Sequence, residues 1–167
     1  MSLRRAPRGR DEGAAAVEFA LVVPLLVLLV FGIIQFGLVF GQQLSLSNSA
    51  RQGARVGVVN KTMCGDIVSE VQNAAGSLGM SGSNVQVLIQ LQQGNAAATT
   101  STCGAAYLSS TSTASSPGNQ TPCLNSGDTT RLVVTAKYNS SLVIPLATNL
   151  TSVGLTGKGV YRCEYTN

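Results

Sequence analysis

The side chains with the most chemistry to offer are four cysteines, Cys64, Cys103, Cys123 and Cys163, and seven carboxylates. All four cysteines follow a long apolar stretch, their number is even, and no Cys-x-x-Cys pair occurs. With no histidine anywhere in the 167 residues, that pattern points to disulfides on the exported side of a membrane and away from zinc. Four cysteines allow three pairings. The expected one joins Cys103 to Cys123, closing a polar loop, and Cys64 to Cys163, tying a helix to the last strand. Closing a loop of about 20 residues is worth roughly 3 kcal/mol in the chain-entropy account.

Acid–base and nucleophilic chemistry find little to work with. Serine and cysteine nucleophiles lack their usual histidine base. Beyond the apolar stretch the acids are Asp66, Glu70, Asp128 and Glu164, too far apart in sequence to nominate a pair. There is no Gly-x-Ser-x-Gly elbow and no phosphate-binding loop, so the expectation is a non-enzyme that uses no cofactor and no metal. The carboxylate that stands out is Glu18, the one charge between Ala14 and Phe40. At the centre of a membrane helix a carboxylate costs about 2.5–3.5 kcal/mol, and less near an end. Glu18 either reaches the headgroups or meets a positive group on a neighbouring helix.

The element that must position Glu18 is a helix. From Ala14 to Phe40 it would span about 40 Å, more than the roughly 30 Å of bilayer hydrocarbon. Pro24 lies in its first half, where a membrane helix tolerates it, and Gly32, Gly37 and Gly41 offer small surfaces for close helix approach. A cleavable signal would have a shorter apolar core and a prompt small-x-small site, so a retained anchor is expected. Arg4, Arg5, Arg8 and Arg10 precede it and place the N-terminus in the cytoplasm by the positive-inside rule. The reading is single-pass in a cytoplasmic (inner) membrane: residues 1–13 a basic leader, 14–40 the span, 41–167 extracytoplasmic. The net charge of +4 does not argue for nucleic acid, because the other basic residues are scattered singly with no basic stripe.

The run Gly13-Ala-Ala-Ala-Val-Glu18-Phe19-Ala-Leu, with Pro24 and Phe31-Gly32-Ile-Ile-Gln-Phe36-Gly37 after it, resembles the TadE-like family, pseudopilin-like proteins of the tight-adherence (Flp, type IVb) pilus machinery. Ala50-Arg51-Gln-Gly53-Ala54-Arg55 is similar to that family's Arg-x-Gly-Ala-Arg element at the end of the long helix, and Val160-Tyr-Arg162-Cys-Glu164 to its Arg-x-Glu ending. The resemblance implies a prepilin peptidase cut after Gly13, with Ala14 as the new N-terminus and Glu18 fifth from it, followed by Phe19. Such a glutamate would meet the free α-amine of a neighbouring subunit. It also implies partners: other pilin or pseudopilin subunits, an inner-membrane assembly platform and the peptidase.

Past the span, Leu46, Ala50, Gly53/Ala54 and Gly57 recur at helical spacing, a small-residue face suited to a sheet or another helix. Arg51 and Arg55 are like charges at i, i+4, unfavourable by a few tenths of a kcal/mol unless Asp66, Glu70 or a partner protein answers them. A second amphipathic helix is expected from Asp66 to Leu78, stopped by Gly79. Strands are expected at Val85, Val87, Ile89 and Leu91, at Leu132, Val134, Ala136 and Tyr138, and from Val153 to Glu164, with Gly154, Gly157 and Gly159 weakening the last. Residues 94–128 form a long polar loop. Asn60, Asn119, Asn139 and Asn149 open Asn-x-Ser/Thr triplets, which this composition produces by chance. The fold class is α+β: a long transmembrane helix, a second helix and a short antiparallel sheet, a layout that the resemblance makes pilin-like. The function that follows is a minor pseudopilin or assembly component acting by helix packing. The alternative is a membrane-anchored binding or adhesion module outside any filament.

Overall fold

The computed structural model describes residues 11–59, 62–76, 78–100, 103, 120–124, 129–142 and 152–164. Helix α1 runs Asp11–Val58 and helix α2 Cys64–Ala75. Strands β1 (Gln86–Gln93), β2 (Thr99–Thr100), β3 (Thr130–Ser140) and β4 (Val153–Arg162) follow. The chain divides into two compact units, Met1–Gly37 with Leu142–Thr151, and Leu38–Ser141 with Ser152–Asn167. The architecture is α+β.

In the first unit, α1 carries Val17, Phe19, Leu21, Leu25, Leu26, Phe31, Ile33 and Phe36 on its surface, all exposed. The helix contains Pro24 and continues through it. This stretch of α1 is apolar and long enough to cross a membrane, and none of it is buried by the chain.

In the second unit the sheet is antiparallel in the order β2-β1-β3-β4. Period-two alternation sends Val87 and Ile89 of β1, Leu132, Val134 and Ala136 of β3, and Leu155 of β4 to one face, where they pack with Leu46, Ala50 and Ala54 of α1 and Ile67 and Val71 of α2. The glycines of β4 form the seam with α1. A methyl group on Gly157 would stand 2.4 Å from the Leu46 carbonyl oxygen, and one on Gly159 2.3 Å from that of Ala50. The strand backbone therefore lies directly on the helix backbone. These glycines, expected to weaken the strand, are what lets it dock.

Helix α2 begins and ends earlier than expected. Asp66 is not its first residue but its third helical one, and its carboxylate accepts from the Met63 N–H at 3.2 Å. Gly76, not Gly79, closes the helix. Leu78, expected as an inward helix residue, is half exposed with φ 54° in the turn that follows. Strand β2, inside the expected polar loop, pairs Thr99 with Leu91 and Thr100 with Gln90.

Candidate functional site

Gly13 and Ala14, the residues expected to flank a cut, lie in the first turns of α1 as described. Glu18 and Phe19 follow one turn later, both exposed, Phe19 by 71%. Beside Gly13, Gly32 and Gly37 nothing lies within 4 Å of where a Cβ would be. Unlike Gly41, where a methyl would meet Leu78 Cδ1 at 2.8 Å, these three glycines are thus open on their sides, bordered by large exposed apolar residues. That combination suits approach by another apolar helix.

The Arg51–Arg55 element divides by direction. Gly53 and Ala54 are buried; a methyl on Gly53 would meet Val71 Cγ2 at 2.2 Å, so α2 is packed against the helix backbone there. Arg51 and Arg55 point the other way and are exposed. The two carboxylates that could have answered them within the chain have other tasks. Asp66 caps α2 through Met63, and Glu70 accepts a hydrogen bond from Gln52 Nε2. Around the arginines is an open cleft of about 670 Å³ lined also by Gln52, Val56, Val59, Thr62 and Tyr161. Thr62 Oγ1 donates to the carbonyls of Val56 and Val59 at 3.0 and 3.2 Å, fixing the wall where α1 ends.

The disulfides are paired otherwise than expected. Cys64 joins Cys103 and Cys123 joins Cys163, with Cα separations of 5.6 and 5.5 Å. The reason is the strand register. Because Arg131 opposes Arg162, the chain entering β3 lies beside the chain leaving β4, and Cys163 N–H donates to Thr130 O at 3.0 Å. Cys123 is brought to Cys163 from that side. Cys64, at the start of α2, sits by the same incoming segment, its N–H donating to Gln120 O at 3.0 Å. The polar segment is pinned at one end to α2 and at the other to the end of β4, instead of being closed on itself. The remainder of that segment, including residues 104–119, and Arg4, Arg5, Arg8 and Arg10 lie outside the described residues.

Two features went unseen in the sequence. Gln42 is buried; its Nε2 donates to Leu78 O at 2.9 Å and its Oε1 accepts from Ser140 Oγ at 2.6 Å, so one side chain ties α1 to the turn after α2 and to the end of β3. Nothing distinguishes it in sequence from Gln43, which is partly exposed and donates to Thr156 O of β4. The second is charge. The basic residues of the strands are not scattered: Arg131 opposes Arg162, Lys158 opposes Thr135, and Lys137 opposes Thr156, all on the sheet face turned away from α1. Here a signal existed, since Arg131 and Lys137 alternate with the apolar Leu132, Val134 and Ala136.

No curated protein and no solved structure matches the chain. The ending Arg162-Cys-Glu164 falls outside the part that a family model covers. Residues 13–55 match the family model described as TadE-like protein, so the stretch from Gly13 through Arg55, with Glu18 and the paired arginines in it, is TadE-like.

Proposed function

We propose that the protein is a minor pseudopilin-type component of a tight-adherence (Flp, type IVb) pilus or related secretion apparatus, acting by packing α1 against the helices of other pilin-like subunits. A TadE-like segment implies a role in tight-adherence pilus assembly. The observation that carries the reading is the uncovered apolar surface of α1 within that segment, with Gly32 and Gly37 open between large exposed side chains. In this reading the helix is anchored in the bacterial inner membrane, its basic leader cytoplasmic and its disulfide-bonded part outside.

Glu18 supplies the polar element of the packing. A carboxylate in hydrocarbon is retained where a positive group answers it. Hydrolysis of the Gly13–Ala14 peptide bond would create that group, the α-amine of Ala14, on every subunit. The role is structural and involves no catalytic step of the protein's own. Replacing Glu18 by Ala should abolish pilus assembly while leaving membrane insertion intact, read by filament counts and membrane fractionation. Wild-type assembly in Glu18→Ala, together with loss of function on deleting residues 104–119, would favour the anchored binding module instead.

A further inference from the structure

No described residue answers the charge of Arg51 and Arg55 in the cleft between them and Tyr161. Neither guanidinium makes a hydrogen bond or ion pair with a described residue, and the two carboxylates of α2, Asp66 and Glu70, bond to Met63 N–H and Gln52 Nε2. Arg55 lies in the last turn of α1, where the helix dipole favours a cation. Arg51, one turn earlier, places a like charge beside it, roughly 5–6 Å away at Cβ, and gains little from the dipole in return. Two neighbouring guanidiniums with no carboxylate among the described residues leave room for one from outside. Each offers a planar fork of donors that fits a carboxylate in bidentate fashion.

The rest of the wall narrows the ligand. Val56, Val59 and Tyr161 contribute apolar surface, with Val59 and Tyr161 substantially exposed. The volume, about 670 Å³, suits a few side chains of a docking segment. A segment that fits would carry one or two Asp or Glu residues for the arginines and a neighbouring apolar side chain for the valine–tyrosine floor. We infer that this cleft is a docking site for an acidic, partly apolar peptide segment of a neighbouring pilin-like subunit. It is a contact made outside the membrane and in addition to packing of the apolar part of α1. The inference rests on the assembly reading above for the identity of the neighbour, and on the cleft alone for its chemistry.

A photo-crosslinking residue placed at Val59 in the full-length protein, in the membranes of its own host, reads the occupant directly. A second one at Phe36 reads packing of the apolar helix. Mapped by mass spectrometry, the Val59 product should lie in a segment of a second pilin-like subunit that bears Asp or Glu next to an apolar residue. Arg51→Gln with Arg55→Gln should lower its yield about tenfold or more, as expected for losing two charge-assisted contacts, and leave the Phe36 product unchanged. Arg51→Lys with Arg55→Lys should recover part of the yield, since charge returns without the fork. A Val59 product that is phospholipid, that maps to a segment without carboxylates, or that is indifferent to the glutamine pair overturns the docking site while the Phe36 product upholds assembly. Absence of both products overturns the two together.

Discussion

Gln42 does the work of a cross-brace with a single amide. Its donor and acceptor are each used, by Leu78 O in a partly buried bond and by Ser140 Oγ in a buried one. Replacing it by Leu, similar in size, would leave the buried Ser140 Oγ without its partner and remove the bond to Leu78 O. Loss of about 1–3 kcal/mol is expected for buried polar groups so orphaned. The full chain in neutral detergent should show this as faster amide exchange at the end of β3 and in the turn around Leu78. At the same scale, Glu18 was legible in the sequence because a lone charge in an apolar run announces itself. Gln42 was not, because a glutamine beside a glutamine looks like any wetted helix surface until three segments converge on it. A cut after Gly13 has its own readout: intact-mass measurement of the protein extracted from its host membrane should give a chain starting at Ala14, and a mass starting at Met1 would exclude the cut.

Among elements, the docking of β4 on α1 is set by what is missing from both. Ala50 and Ala54 on the helix and Gly157 and Gly159 on the strand leave the backbones in contact. Gly159→Ala would force the Ala50 carbonyl aside, and overpacking of this kind costs about 1–3 kcal/mol. It should lower the thermal midpoint of the sheet-bearing unit, read by circular dichroism in detergent, whereas Gly154→Ala, whose methyl would meet, among the described residues, only the Asn139 side chain at 3.7 Å, should change it little. Periodicity made these elements visible from residue types: alternation for β1 and β3, helical spacing of small residues for α1. The function of the β4 glycines was not visible, because the same glycines that disfavour a strand in isolation become favourable only once a helix lies across them. Sheet order and the clustering of Arg131, Lys137, Lys158 and Arg162 on one face needed the register as well.

For the molecule as a whole, the two disulfides decide how the polar segment between β1 and β3 is held. Removing the pair by Cys123→Ala with Cys163→Ala should cost about 2–4 kcal/mol, measured by denaturant unfolding, and non-reducing peptide mapping of the wild type should recover the Cys64–Cys103 and Cys123–Cys163 peptides. The even cysteine count was enough to foresee disulfides. It could not decide the pairing, because loop entropy favours the nearest cysteines in sequence while the bonds form between those the β3–β4 register and the start of α2 bring side by side.

The pairing that results is also sequential: first cysteine to second, third to fourth. In the proposed topology, with the chain threading through the membrane behind its N-terminal anchor, Cys64 and Cys103 emerge before Cys123 exists on the far side. Whatever oxidant waits there meets a correct pair first, and later a second correct pair. Nested bonds would need reshuffling by thiol–disulfide exchange, which is slow without an isomerase. This protein should therefore mature at an undiminished rate in cells lacking a disulfide isomerase, and fail only when the oxidant itself is removed.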